Sequence, residues 1–294
     1  MKHLLPLLIS LSLSAQAQEA QFDSRHFVEY QTGTLPLILG SPHGGKFRTD
    51  KIKDRTYGVV DSDVNTQDLT RRIHAHLITK TGGAPFMIIS LLHRAELDPN
   101  REIIEAAQGD DIGIETHKTY HGFIVKAAEA VKSKFPAGLY IDIHGQRHKE
   151  KRVELGYTIS PEKLRLPDEQ LEAGTLMIRQ SSIRDLDQRS PASFPELLRG
   201  KTSLGGLLGE RGYICVPSPQ VSAPAKGELY FMGGYTVDRH GSRNGGSLNA
   251  IQIECPFDGV RDTEANREKF AITLAEVLPE FFKTHFRIEM APVK

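Results

Sequence analysis

The sequence predicts an α/β fold built on a largely parallel sheet, and two observations carry that prediction. Continuous apolar runs bounded by Gly and Pro recur along the chain, the pattern of strands covered on both faces. Helical patterns with a single apolar stripe lie between those runs, and strands alternating with helices build parallel sheets.

In chain order, Leu-Pro-Leu-Ile-Leu at 35–39 reads as a buried strand, its proline near the start where a missing N–H is tolerated. It runs into a tight loop at 40–45. Within 66–79, Leu69, Ile73 and Leu77 recur every fourth residue and predict a helix. A second apolar strand covers 85–92, and a helix with Ile124, Ala128 and Val131 on one side covers 114–134. A third strand covers 138–143 and a late one 249–254. Asp262 and Thr263 are placed to cap a last helix, whose stripe is Phe270, Leu274, Val277, Leu278 and Phe281. The Gly- and Pro-rich region 184–246 predicts one short helix over 195–208 and loops that shape a pocket. Segments 146–152 and 179–189 read as exposed and polar. With no internal repeat and no low-complexity linker, residues 18–294 read as a single domain.

The first seventeen residues are set apart. Met1, Lys2 and His3 are followed by a short apolar stretch from Leu4 to Ser14 and then by Ala15-Gln16-Ala17. That order reads as a cleavable secretory signal, too short to span a bilayer, with cleavage after Ala17. No cysteine follows the cleavage site, which argues against a lipid anchor, so the mature chain is expected in the periplasm or outside the cell. The competing reading is a buried N-terminal helix.

Of 294 residues, 39% are hydrophobic and 25% charged, an ordinary globular composition. Lys+Arg and Asp+Glu stand at 37 each, a balance that argues against nucleic acid or an anionic membrane as the main partner. Cys215 and Cys255 are too few for a disulfide scaffold or a thiolate metal cluster, although an oxidising compartment would permit a bridge between them. Any metal must be held by His and carboxylate.

The residues with chemical promise cluster at the carboxyl ends of the predicted strands, where open α/β sheets carry their sites. His43 follows the first strand beside glycines that let backbone approach a ligand, and His144 closes the third behind Asp142, which points to the same side. Asp142 is placed to orient that imidazole. A hydrolytic zinc site needs about three protein ligands and an open position. His43 and His144 supply two, and Asp61 or Asp63, just before a helix, could supply the third. Helix capping is the plainer role for those aspartates. After the second strand, His93 and Arg94 lead into Asp98, Asn100 and Arg101, a cationic loop suited to a carboxylate, or simply a surface salt-bridge loop. Gln252 and Glu254 alternate with isoleucines on one face of the last strand. A carboxylate there is paired, solvated in a cleft or functional, and as general base Glu254 would shuttle a proton from water to a leaving amine.

Five motifs in this order resemble the N-formylglutamate amidohydrolase family: Ser-Pro-His-Gly-Gly at 41–45, Asp61-Ser-Asp63 with Asp68, His93-Arg94 through Asp98-Pro-Asn-Arg101, Asp142-Ile-His-Gly145 and Ile251-Gln-Ile-Glu254. The resemblance implies a three-layer sandwich with a mixed, largely parallel central sheet, phosphorylase/hydrolase-like, as in the zinc carboxypeptidases. It implies zinc on His43, His144 and a carboxylate, with Arg94 holding the developing oxyanion. It also implies a substrate carboxylate on Asn100 and Arg101, with Glu254 as base. Carboxypeptidases carry a ligand Glu three residues after the first His; here that position is Lys46, which leaves Asp61 and Asp63 both open. Tyr235, Arg239 and His240, in a Gly-rich stretch before the last strand, are candidate substrate contacts. The expected partner is a small-molecule or short-peptide substrate with a free carboxylate. The alternatives are a carboxypeptidase-like hydrolase of cell-wall or γ-glutamyl peptides and a non-catalytic exported binding protein on the same fold.

Overall fold

The computed structural model describes residues 20–291, so the predicted signal segment lies outside the described residues. Its eight strands are β1 (Gln21–Phe22), β2 (Val28–Gln31), β3 (Leu37–Ser41), β4 (Phe86–Ser90), β5 (Gly138–Gln146), β6 (Val153–Gly156), β7 (Cys215–Val216) and β8 (Leu248–Pro256). They form one sheet in the order β1-β2-β4-β3-β5-β8-β6-β7. Its centre, β4-β3-β5-β8, is parallel throughout. Antiparallel pairing enters where β2 meets β4 and where β6 meets β8. The four long apolar runs are the central strands. β1, β2, β6 and β7 are short and go unrecognised in the sequence because two to four residues carry too little pattern.

Alternation within each strand sorts its side chains between two helical layers. Leu37, Leu39, Leu139, Ile141, Ile251 and Ile253 face one layer, packed with Leu69, Ile73 and Leu77 of helix Thr66–Thr81 and with Phe270, Leu274 and Leu278 of helix Glu264–Phe281. Ile38, Tyr140 and Ala250 face the other, with Tyr120, Ile124 and Val131 of helix Asp111–Lys132. This is the three-layer sandwich. Asp142, His144, Gln252 and Glu254 share the parity of Tyr140 and Ala250, so the polar residues gather on one side at the carboxyl end of β5 and β8.

Local chemistry sets the helix limits. The Thr263 hydroxyl accepts the backbone N–H of Asn266 and starts the last long helix. Gly82, at φ 73°, ends helix Thr66–Thr81 in the left-handed conformation that glycine adopts without strain. The single helix predicted over 195–208 is instead two, Phe194–Arg199 and Leu204–Glu210, because Ser203 caps a new start by accepting from Gly206. Segment 179–189 is not simply exposed: Ser181, Ser182, Ile183 and Leu186 are buried, and the Ser182 hydroxyl donates to the Ala250 carbonyl at 2.6 Å. The loop after β5 is likewise tied down at its ends. Gln146 and Arg152 are buried, the former donating to the latter's carbonyl.

Cys215 and Cys255 are free and buried. β6 lies between their strands, so their Cα atoms stand roughly 9–10 Å apart, beyond disulfide reach. Among the described residues no helix is long and apolar enough to cross a membrane.

Arg261 locks the carboxyl end of the sheet from within. It is 2% exposed, and its guanidinium donates to the carbonyls of Cys255, Val64 and Gln146. A Cβ on Gly145 would stand 2.2 Å from that guanidinium, so the glycine makes room for it. Replacing Arg261 with Met leaves three inward carbonyls without donors. We expect a loss of about 3 kcal/mol or more, read from urea unfolding midpoints at unchanged slope. A change under about 0.5 kcal/mol would mean that water replaces all three bonds.

Candidate metal centre

His43 comes off the end of β3, Asp63 precedes helix Thr66–Thr81, and His144 lies near the end of β5. The structure brings the three together, all buried, with one donor atom from each within 4.8 Å of the others. The Nδ1 atoms of both histidines stand 3.4 Å from the same oxygen, Asp63 Oδ2. Donors bound to one tetrahedral ion at about 2.0–2.2 Å sit roughly 3.3–3.6 Å from each other, so the spacing suits a divalent cation.

Each imidazole is aimed by a carboxylate behind it. His43 Nε2–H donates to Asp98 at 2.6 Å, and His144 Nε2–H donates to Asp142 at 2.8 Å. With Nε2 committed, Nδ1 is the atom each ring turns to the centre, able to coordinate once it carries no proton. His43 Nδ1 is buried with no hydrogen-bond partner, an atom that a cation would satisfy. Asp98 also accepts from Arg94 Nε and the Asn100 backbone, both at 2.9 Å. Asp142 accepts from the hydroxyls of Tyr140 and Thr236. Of the two open aspartates, Asp63 meets both histidines and accepts the Gly145 N–H at 3.0 Å. Asp61 is exposed and gives its backbone carbonyl to Arg94. Neither caps the helix, whose N-cap residue is Asn65.

Burial penalises every charge here. It pushes the Glu254 carboxyl up to about 8, helped by Asp63 and Glu154 and opposed by His144. Burial also disfavours a charged His144, but Asp142 overrides it and lifts that imidazole to about 10. Asp63 goes the other way against its own burial, held well below the usual carboxylate range by His43 and His144. Glu254 lies beside His144 across the β5–β8 ladder, its Oε1 at 4.0 Å from His144 Nδ1. Oε1 accepts from Gln252 at 2.8 Å, while the buried Oε2 has no partner.

A cavity of about 190 Å³ opens over this cluster, bordered also by Arg94, Asn100 and Arg101. The Asn100 carbonyl oxygen is occupied by the Thr236 backbone N–H at 2.9 Å, which leaves its amide N–H₂ to face His144 and the cavity. The loop 98–101 is held from behind: His121 Nε2–H donates to the Pro99 carbonyl and His117 Nε2–H to that of Arg101, both at 3.0 Å. His121 Nδ1 must then accept, so His240 Nε2–H donates to it at 2.7 Å. His240 and Tyr235 therefore depart from the expected substrate contact. Tyr235 packs on His117 and His121, neither residue borders the cavity, and Arg239 turns to the Tyr235 hydroxyl. Their neighbour Gly234 reaches the cavity instead, where a Cβ would meet the Asn100 amide at 2.2 Å.

Three contributors escaped the sequence reading. Arg55, buried in a charged run, donates to the carbonyls of Val59, Arg94 and Glu105 and so braces the loop. Thr236 joins Asn100 to Asp142. Glu154, directly opposite Glu254 in the ladder, is buried and bound to His148 and the Phe231 N–H. None has a local signal, since each role depends on a strand or loop distant in sequence.

Fold and site together define an α/β three-layer sandwich carrying a His-Asp-His centre beside a buried glutamate. No family model matches the sequence, and no curated protein matches it. Among solved structures the fold is similar to N-formylglutamate amidohydrolase from Ralstonia eutropha JMP134, at 13% identity over 88% of this chain and 98% of that one, with TM-score 0.51. A gene product from Agrobacterium tumefaciens matches at 12% identity over 87% and 94%, TM-score 0.48. A bacteriophage poly-gamma-glutamate hydrolase matches at 14% identity over 87% and 88%, TM-score 0.36. The first of these shows a shared fold.

Two predictions follow from the centre's electrostatics. Metal-free His144, raised to about 10, is protonated at neutral pH and must lose that proton to coordinate. Metal affinity should therefore fall about tenfold or more per unit as pH drops from 9 to 6. Calorimetry in buffers of different ionisation enthalpy should show at least one proton released, and none released would contradict the assignment. Asp142→Asn, which keeps the shape but removes the charge that raises His144, should flatten the fall in metal affinity between pH 9 and 7 in a chelator competition, with the circular dichroism spectrum unchanged.

Proposed function

We propose that this chain is an exported zinc-dependent hydrolase that cleaves an amide next to a carboxylate, in the manner of N-formylglutamate amidohydrolase. The observation that carries the reading is the convergence of His43 Nδ1, His144 Nδ1 and Asp63 Oδ2 beside the partnerless Oε2 of Glu254. Export rests on the character of the first seventeen residues.

His43, Asp63 and His144 would hold the ion, and a nitrogen-and-carboxylate set of three suits zinc with a position left for water. When bound, zinc polarises a carbonyl and makes bound water acidic. Glu254, anchored at Oε1 by Gln252, takes the water proton at Oε2 and returns it to the departing nitrogen. Arg94 borders the cavity with its Nη1 3.5 Å from Asp63, placed to donate to the carbonyl oxygen as charge develops there. Asn100 and Arg101 receive the substrate's carboxylate. On N-formyl-L-glutamate the products would be formate and glutamate. The substrate is a small molecule or short peptide with a free carboxylate, and neither nucleic acid nor membrane is a partner of the mature chain. A purely binding protein has no use for a buried, unpartnered glutamate oxygen at the metal centre.

The test is bound metal and amine release from N-formylglutamate and γ-glutamyl peptides in wild type and two variants. Wild type should carry near-stoichiometric zinc. His144→Ala should lose both metal and hydrolysis. Glu254→Gln should keep the metal and lose about 10²- to 10⁴-fold in kcat. A wild type that neither binds zinc nor gains activity when supplied with it would leave a binding protein on this fold.

A further inference from the structure

The loop that carries Asn100 and Arg101 belongs to no strand or helix. Its three consecutive carbonyls, at Pro99, Asn100 and Arg101, accept from side chains. His121 Nε2–H donates to the first at 3.0 Å, Arg101 Nη1–H to the second at 2.8 Å, and His117 Nε2–H to the third at 3.0 Å. Backbone carbonyls away from water need partners, so the groups that satisfy these set the shape of the loop.

The partners come from two pairs of residues, each pair four apart and so on one face of its helix. His117 and His121 stand on helix Asp111–Lys132, both buried, with ring centroids 4.4 Å apart. Thr236 and His240 stand on helix Tyr235–His240. The Thr236 N–H holds the Asn100 amide oxygen, and His240 Nε2–H donates to His121 Nδ1 at 2.7 Å, the two rings stacked at 5.0 Å. A carbonyl only accepts, so this order of donors admits one tautomer at each ring. Burial, with His240, His117 and Arg239 adding to it, pushes His121 down to about 2. Burial, with Arg239 adding to it, pushes His240 down to about 4. Both rings are therefore neutral at neutral pH, and the relay keeps its direction.

We infer that His121 and His240 are positioning residues for the substrate's carboxylate. The relay from His240 through His121 to the Pro99 carbonyl fixes the backbone on one side of Asn100, and His117 fixes it on the other. Together they set the direction in which Asn100 and Arg101 meet the anion. Neither His121 nor His240 borders the cavity, so both act through the loop. The relay reaches Asp98 only through the Asn100 N–H, and that carboxylate also has His43 and Arg94 as donors. The effect therefore falls on substrate binding more than on the metal. The inference rests on the reading that Asn100 and Arg101 receive the carboxylate.

The experiment uses the zinc-loaded protein and its His240→Ala, His240→Gln and His121→Phe variants. His240 is half-buried and borders a separate cavity of about 230 Å³, so truncating it enlarges an existing space. The glutamine amide can still donate to His121 Nδ1. The substrates are N-formyl-L-glutamate and γ-L-glutamyl-L-alanine, each compared with the analogue whose carboxylate beside the scissile amide is a carboxamide. His240→Ala and His121→Phe should raise KM about tenfold for the carboxylate substrates, with kcat within about threefold and the carboxamides unaffected. His240→Gln should return KM to within about threefold of wild type. Zinc affinity in a chelator competition should stay within about threefold in all three variants. KM unchanged in both His240→Ala and His121→Phe, or raised equally for carboxylate and carboxamide, would overturn the inference. A glutamine no better than alanine would overturn the donor role of His240. A tenfold loss of zinc affinity would overturn the inference too, making the relay a support of the metal centre. A wild type that cleaves carboxamides as well as carboxylates, or cleaves neither, would overturn the carboxylate reading and the inference with it.

Discussion

The centre depends on two hydrogen bonds, from His43 Nε2 to Asp98 and from His144 Nε2 to Asp142. An imidazole has two nitrogens and a ring that can turn over, so a histidine in a cavity does not by itself present a particular lone pair. A buried carboxylate behind each ring settles both tautomer and orientation. Everything near the site then serves those carboxylates. Arg94 and the Asn100 backbone hold Asp98; Tyr140 and Thr236 hold Asp142. Thr236 also fixes Asn100 through its backbone, so the candidate metal centre and the loop 98–101 share one support.

The strands make this arrangement possible because their side chains alternate. In β5 and β8 the odd-numbered Leu139, Ile141, Ile143, Ile251, Ile253 and Cys255 belong to one helical layer. The even ones turn from Tyr140 and Ala250 to Asp142, His144, Gln252 and Glu254 as the strands reach the sheet's edge. That interruption of an apolar run is legible in sequence, which is why His144, Asp142 and Glu254 stand out, as does His43 after β3. Choosing Asp63 over Asp61 was not legible. It depends on Asp63 N–H bonding the His43 carbonyl and on Gly145 N–H reaching the Asp63 carboxylate, contacts made across the fold. Tyr235 and His240 misled for the same reason. A Gly-rich approach marks a turn near a site but not which residue of the turn enters it, and here Gly234 does.

Four buried carboxylates, Asp63, Asp98, Asp142 and Glu254, crowd around two imidazoles, with Arg94 and Arg55 at ion-pair distance from Asp63 or Asp98. Such a gathering is costly without compensating positive charge. The same environment raises two groups: Asp142 lifts the His144 imidazole against its burial, and burial lifts the Glu254 carboxyl, with Asp63 and Glu154 adding to it.

In the proposed mechanism this coupling bears on Glu254. A carboxyl at about 8 is mostly protonated at neutral pH and cannot accept a proton from water. The burial that raises it is permanent, because β5, β6 and β8 enclose it. The electrostatic part is not, since the centre at His43, Asp63 and His144 lies next to it. A divalent cation there favours the ionised carboxylate, in the same way that an adjacent arginine would. On the proposed function, base and metal centre would act as one unit: a cation at His43, Asp63 and His144 would favour the ionised Glu254 that can take a proton.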